Sequence, residues 1–475
     1  MRTKPSTLTL ISSISGIRGT IGGEPGENLT PPDILKFTAA YAAVMKERSD
    51  NKLIVIGRDG RVSGEMVRSL VVGTLISMGL DVMDLGLSTT PTVEMAVQLE
   101  ENAAGGIIVT ASHNPREWNA LKLLGSNGEF IDHETGALVV SKADEEDYEF
   151  VNVNHIGSYE KRDDYLGIHI KKILELPLVD AAAIKAYGFK IAVDGINSSG
   201  AIAVPALLTA LGVEEIHEIN QEINGIFAHK PEPLPENMVV LMNLVKTESL
   251  HLGIVVDPDV DRLAFVCDDG EPMGEEYTLV AIADYVLKNN PGPTVSNLSS
   301  TRALKEVTEK KGCTYHASAV GEVNVVHKMK EVGAVIGGEG NGGVIYPDLH
   351  HGRDALVGIA LFLTHLAQFG KSSSMLRSTY PQYVIHKSKI DLIPSLDVDA
   401  ILEKLQEKYK NQRMITIDGL KMYFDDDWIH LRKSNTEPIV RVYAETSHET
   451  TAKNLVLKLR SDISEIMKDL KLNQA

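Results

Sequence analysis

Cysteine is scarce in this chain: Cys267 and Cys313 are the two among 475 residues. Two thiols so far apart give neither a disulfide framework nor the paired spacing of a zinc site. Cys267 ends the apolar run Leu263-Ala264-Phe265-Val266 and reads as a small buried hydrophobe. Long apolar runs are missing too. None reaches the roughly 18 residues of a membrane span, and the run after Met1-Arg2-Thr3-Lys4-Pro5-Ser6 is too short for a signal peptide. A cytoplasmic protein with no membrane partner is therefore expected. Positive charge is in deficit: 47 Lys and Arg stand against 65 Asp and Glu, for a net charge of −18. That argues against nucleic acid, which needs a basic face. It still permits a phosphorylated substrate, because a local basic pocket can sit on an acidic protein.

What is present is a globular composition, 43% hydrophobic and 24% charged. At about 150 residues per domain, three or four domains are expected. Residues 14–23 are glycine-rich around Arg18, a segment that reads as a loop with a guanidinium available to phosphate. Thr30-Pro31-Pro32-Asp33 has the cap residue, early proline and early acid of a helix start. Buried strands are expected at 52–56, 81–85 and 107–109, with a helix over 64–78. Residues 142–165 are acidic and polar and read as a solvated face or linker. The strand–helix alternation restarts near 189 and again near 275, a repeat of architecture without a sequence period. After about 385 the pattern changes to short strands flanked by helices at 398–409 and 450–472. The expected fold is therefore α/β: three similar α/β domains with mixed sheets (1–165, 166–272, 273–384), then a smaller α+β C-terminal domain (385–475).

Four stretches carry chemistry. In Thr110-Ala111-Ser112-His113-Asn114-Pro115, a buried strand delivers a serine to a turn at the loop end of an α/β sheet. Taken alone, a turn serine is the simpler reading. Lys122 follows, flanked by apolar residues, as either an edge-strand lysine or a partly desolvated acid/base or phosphate partner. Asp257-Pro258-Asp259-Val260-Asp261-Arg262 sets three carboxylates at alternate positions after a buried strand. Such charges repel unless a hard divalent cation joins them. An EF-hand is excluded, because Arg262 occupies the sixth position and Asp268 the twelfth. Gly338, Gly340 and Gly343 match the dinucleotide glycine pattern, but Val344-Ile345-Tyr346-Pro347 cannot open the helix that pattern needs. Glu339 and Asn341 in that loop suit sugar hydroxyls; a plain hairpin turn explains the segment equally well. Arg432-Lys433-Ser434-Asn435-Thr436-Glu437-Pro438, with Arg441 beyond, combines guanidinium groups, hydroxyls and a turn backbone fit for a phosphate dianion.

These four motifs, in this order and over nearly the whole chain, resemble the α-D-phosphohexomutase family. The start of the chain, the variant sugar loop and the Ser434-Asn435-Thr436 triplet are most similar to its phosphoglucosamine mutase-like members. The resemblance implies a central cleft between the domains and interconversion of hexose 6-phosphate and hexose 1-phosphate through a phosphoserine enzyme and a hexose 1,6-bisphosphate. Glucosamine is the first sugar it points to, with glucose or mannose as the alternative. It implies that Ser112 is the phosphoserine, with Ser112, Asp257, Asp259 and Asp261 holding Mg²⁺. Lys122 matches an acid/base lysine, Arg18 and Arg262 match active-site arginines, and His113 joins the catalytic candidates. Glu339 and Asn341 would contact sugar, and Arg432, Ser434, Asn435, Thr436 and Arg441 would clamp the non-reacting phosphate. One departure stands out: Asn341 and Gly343 replace the family's usual Ser and His, so a histidine role is lost unless His350 or His351 supplies it. A monomer or homodimer is expected. Two other classes compete: a haloacid-dehalogenase-type phosphatase with Asp257 as nucleophile, and a non-catalytic sugar-phosphate binder.

Overall fold

The computed structural model describes residues 8–13, 16–391, 398–433 and 439–472. Four sheets follow one another along the chain, with seven, four, four and five strands. The first three share one module. In the first, Leu53–Arg58 lies between Asp81–Leu87 and Ala103–Val109, all parallel, and Trp118–Leu124 closes antiparallel onto Ala103–Val109. In the second, Lys190–Asp194 lies between Glu215–Ile219 and Leu252–Val256, and Leu263–Cys267 closes antiparallel. In the third, Thr294–Asn297 lies between Tyr315–Ser318 and Ile336–Glu339, and Gly343–Ile345 closes antiparallel. The repeat therefore lies in topology. In every module the hairpin between the third and fourth strands carries a motif: the Ser112 turn, the Asp257–Asp261 carboxylates, or the Gly340-Asn341-Gly342 turn.

The first sheet is wider because Ile11–Ser13 and Gly16–Thr20 add to one edge and Tyr159–Lys161 to the other. Two expectations are corrected here. The glycine-rich segment around Arg18 is a strand, paired with Trp118–Leu124, and not a loop. Its glycines serve close packing: a Cβ on Gly16, at φ +108°, would lie 2.3 Å from the Leu121 carbonyl oxygen. The acidic 142–165 stretch is not a plain linker either. The helix His133–Glu145 runs into it, and Tyr159–Lys161 pairs parallel with Asp81–Leu87.

Burial explains the arrangement. The first sheet carries apolar clusters on both faces. The second and third modules share one continuous core, to which Ile191 and Leu252 of one and Ile282 and Leu356 of the other belong. The helix Ala355–Phe369 is apolar nearly all round and runs through that core, as such a sequence requires. The C-terminal unit is a five-stranded antiparallel sheet backed by Val398–Lys408 and Glu449–Leu472, with its own core. It docks on the third module largely through polar bonds. Lys421 Nζ donates to the Leu298 carbonyl at 2.6 Å, Val320 N–H to Asp418 at 2.9 Å, and Arg302 N–H to Glu445 at 3.1 Å.

Candidate active site

Ser112 sits 8% exposed at the tip of the first hairpin, in the left-handed region at φ +49°. That conformation is uncommon for a residue with a side chain and persists where neighbours impose it. Arg61 does so. Its guanidinium donates to the Pro115 and Asn114 carbonyls at 2.7 Å each, to the Trp118 carbonyl at 3.0 Å, and to the Ser112 carbonyl. Asp59 orients Arg61 at 3.0 Å and accepts from Thr110 Oγ1 at 2.6 Å; Thr110 Oγ1 in turn accepts from the Ser112 N–H at 3.0 Å. The strand end Gly57-Arg58-Asp59-Gly60-Arg61 thus builds the cage of the serine turn.

The Ser112 hydroxyl donates to Asp257 Oδ2 at 2.7 Å. Asp257, Asp259 and Asp261 are fully buried, and one oxygen of each lies within 4.8 Å of the others. They converge because Val260 between them is held at φ +63°, strained for a β-branched residue. Asp257 Oδ1 accepts the Asp261 and Arg262 N–H groups at 3.2 and 3.1 Å, which fixes the turn. Thr90 Oγ1 donates to Asp259 Oδ2 at 2.6 Å, tying the first module to this loop. Asp259 Oδ1 and Asp261 Oδ1 have no hydrogen-bond partner among the described residues. Burial, and then the charges of Asp259 and Asp261, push the Asp257 carboxyl well above the ordinary carboxylate range. Buried, mutually repelling carboxylates with spare oxygens fit a bound hard cation.

Cations line the same place. Lys122 Nζ lies 2.6 Å from Asp259 Oδ2 and 3.0 Å from Asp261 Oδ2. Burial alone would lower the Lys122 ammonium, but Asp259 and Asp261 outweigh it and hold it above its ordinary value. Arg18 is pushed down by burial, then by Arg262 and Arg353. His113 is pushed well below the ordinary imidazole range by burial, then by Arg262 and Arg18. Arginines that raise one another's cost in a buried space make a site for an anion. Arg353 was not legible in sequence, yet it ties this region together. It reaches Asp261 at 2.7 Å, Glu322 at 3.0 Å and Glu339 at 3.0 Å.

In the third hairpin, Glu339 is 5% exposed and already occupied: besides Arg353, it accepts from Asn297 Nδ2 at 2.8 Å and from Gly321 N–H at 3.1 Å. Asn341 Oδ1 accepts from Gly343 N–H at 3.2 Å, closing the turn. His350 does not face this loop as a replacement histidine. It is buried against Asp354, while His351 stands 4.0 Å from Glu129.

In the C-terminal sheet, Arg432 stands directly opposite Arg441, and Arg441 directly opposite Lys389. Opposed residues of antiparallel strands share a face, so three cations form a row across three strands. Like charges so placed repel one another unless an anion joins them. Lys389 is the member sequence reading overlooked, because its register partner lies far along the chain. Ser434, Asn435 and Thr436 lie outside the described residues.

Comparison with known proteins follows the same division. Residues 11–149, 168–270 and 274–383 match the models of α/β/α domains I, II and III of phosphoglucomutase/phosphomannomutase, and 394–461 match its C-terminal domain. A phosphoglucomutase/phosphomannomutase of Thermococcus kodakarensis is 36% identical over 92% of this chain and 95% of its own. The chain belongs to the phosphoglucomutase/phosphomannomutase family. A phosphoglucosamine/phosphogalactosamine mutase of Sulfurisphaera tokodaii is 33% identical over 94% of this chain and 97% of its own. A solved phosphoglucomutase/phosphomannomutase family protein from Burkholderia thailandensis superposes with a TM-score of 0.84 at 26% identity, covering 98% of both chains. Within this member of the family, the three equivalent hairpins supply a hydroxyl, a carboxylate set and a polar turn to one region. Arg61 and Arg353, from other segments, hold the parts in register. Among the described residues, no helix is long and apolar enough to cross a membrane.

Proposed function

We propose that this chain interconverts hexose 6-phosphates and hexose 1-phosphates, with Ser112 as the phosphoryl carrier. The observation that carries the reading is the Ser112 hydroxyl bonded to Asp257 inside a ring of buried carboxylates and cations. Phosphorylated Ser112 gives its phosphoryl group to the free hydroxyl of the sugar. The bond from phosphorus to Ser112 Oγ breaks, a bond to the sugar oxygen forms, and the proton of that hydroxyl is released as Ser112 Oγ regains one. The resulting 1,6-bisphosphate turns over, and the reverse step with its other phosphate leaves product and a phosphorylated serine. A cation held by Asp257, Asp259, Asp261 and the Ser112 phosphate would neutralise charge on the transferring group; all-oxygen ligands with room for a phosphate oxygen favour Mg²⁺.

Lys122 acts as a charged donor. Its ammonium, ion-paired with Asp259 and Asp261, stabilises the transferring phosphoryl group and assists proton transfer. Arg18 and Arg262 add charge stabilisation. Low basicity leaves His113 neutral, a hydrogen-bonding neighbour of the phosphate. Arg432 and Arg441, with Ser434, Asn435 and Thr436, clamp the distal phosphate, and Lys389 extends that row. The clamp must accept either end of the bisphosphate, so sugar choice falls to the turn with Glu339 and Asn341.

Glucosamine phosphate is the favoured substrate, supported by the Sulfurisphaera tokodaii relative and by the Asn341 turn. Glucose or mannose phosphate is the second reading, supported by the Thermococcus kodakarensis relative. The decisive experiment compares kcat/KM for the three 6-phosphates, each with its matching bisphosphate, and repeats it with Ser112→Ala. Ser112→Ala is expected to lose turnover while keeping its fold. Normal turnover in that variant would refute the carrier role, and a clear preference for glucose or mannose would refute the glucosamine assignment.

A further inference from the structure

Behind the carboxylate loop lies a second buried cluster that the proposed reaction does not use. Three segments meet there. The helix Thr90–Leu99 brings Thr92 and Glu94, the helix Tyr165–Leu174 brings His169, and the turn before Ala355–Phe369 brings His350 and Asp354. All five are buried, from 0% exposed at Asp354 to 4% at His350. His169 Nε2 lies 2.9 Å from Asp354 Oδ2, and His350 Nε2 lies 3.2 Å from the same oxygen. Asp354 Oδ1 is taken up by the Leu356 and Val357 N–H groups at 2.8 and 3.3 Å, so the helix start aims Oδ2 at the two rings.

We infer that His169, His350 and Asp354 form a binding site for a Zn²⁺-class transition-metal cation, separate from the all-oxygen loop and linking the helix at the start of the second module to the third. Two imidazole nitrogens and a carboxylate oxygen are the donor types such a cation prefers. Ligands held at about 2.0–2.1 Å around a tetrahedral ion sit roughly 3.3 Å from one another, close to the spacing found here. The far side of each ring supports the same reading. His169 Nδ1 is 3.0 Å from Thr92 Oγ1, and His350 Nδ1 is 3.5 Å from Glu94 Oε2. A metal-bound imidazole needs an oxygen to take its other N–H, most often a carboxylate.

Glu94 is the independent observation. It is 1% exposed, neither carboxylate oxygen has a hydrogen-bond partner among the described residues, and one of them faces His350. Glu94 Oε2 stands 3.5 Å from His350 Nδ1, and burial, then the charge of Glu322, push the Glu94 carboxyl well above the ordinary carboxylate range. On the other side of the ring, His350 Nε2 and His169 Nε2 converge on one Asp354 oxygen, at 3.2 and 2.9 Å, where a cation would take all three donors.

The test uses the full chain, stripped of metal by chelation and then kept in excess Mg²⁺ to fill the oxygen-donor loop. Co²⁺ is titrated in as a coloured stand-in for Zn²⁺. One equivalent is expected to bind with the strong visible absorption of nitrogen ligation and to lose its colour when Zn²⁺ displaces it. The absorption should vanish in His169→Ala and His350→Gln and survive in Asp259→Asn. Uptake of Zn²⁺ well below one equivalent by the wild-type chain overturns the inference, whatever the variants do. So does absorption that survives in folded His350→Gln, checked by circular dichroism, or that is lost only in Asp259→Asn.

Discussion

Replacing Arg353 by methionine tests whether one buried guanidinium holds the modules in register. The side chain is 8% exposed and bonds Asp261, Glu322 and Glu339. Its partners do not suffer equally. Asp261 Oδ2 keeps Lys122 at 3.0 Å, and Glu339 keeps Asn297 and Gly321 as donors to Oε1 while its Oε2 loses Arg353. Glu322 keeps only the backbone N–H of residue 353 at 2.8 Å, and its Oε2 is stranded. Breaking a buried pair by removing one partner costs about 3–5 kcal/mol, and the stranded Glu322 places Arg353→Met in that range near pH 8. The loss should depend on pH. Burial already holds the Glu322 carboxyl above its ordinary value, and loss of the Arg353 charge raises it further. A raised carboxylate means the folded state binds more protons than the unfolded one, so the variant loses stability as pH rises above about 4.5. The deficit relative to wild type should be small near pH 5 and full near pH 8. Urea denaturation followed by circular dichroism at pH 5, 6.5 and 8 measures it. Adding Glu322→Gln, which removes the stranded charge, should recover about 1–3 kcal/mol. A deficit below about 1 kcal/mol, or one that does not change with pH, would refute the reasoning.

Asp259→Asn removes the carboxylate shared by Thr90 and Lys122, and phosphoryl transfer at saturating Mg²⁺ should fall by at least about 100-fold; a variant within tenfold of wild type contradicts the carboxylate role. Arg61→Lys cannot span four carbonyls, so the serine turn loosens, and kcat should fall about 10- to 100-fold with KM nearly unchanged. A change confined to KM would count against the cage. His430 gives one pH effect of known sign. Burial pushes its imidazole down to about 4, with Nε2–H donating to the Asp418 carbonyl at 2.7 Å and Nδ1 2.9 Å from Ser299 Oγ. Between that value and about 6.5 the unfolded state binds more protons, so stability is complete above about 6.5 and lost as pH falls towards 4, by about 3 kcal/mol at most. Fluorescence of the buried Trp428 should report undocking of the C-terminal unit in that window, and His430→Asn should flatten the slope.

Parts of the site were legible in the sequence because their information is local. A strand followed by Thr-Ala-Ser-His-Asn-Pro, three alternating aspartates, and a turn of glycines around Glu339 and Asn341 are each visible within a few residues, and their order along the chain points to a chemistry that the first and last do not declare alone. The repeated module was less clear, since its three copies share strand order and not residues. The segment around Arg18 misled because glycine serves close strand packing as readily as a loop. The acidic 142–165 stretch misled because charge on an edge strand looks the same as charge on a linker.

Arg61, Arg353, Lys389 and the His169–His350–Asp354 cluster were not legible, and the reason is common to them. Each draws its meaning from partners dozens to hundreds of residues away, and no periodicity records such a meeting. By itself, the sequence determined the α/β class, the three motif-bearing turns and the residue types each would carry. Only the tertiary structure decided that those hairpins occupy the same place in three equivalent modules. It also decided that buried carboxylates and cations compensate one another at Ser112. Chain connectivity sets local turns, whereas the pairing of buried charges depends on which surfaces the packed cores bring together.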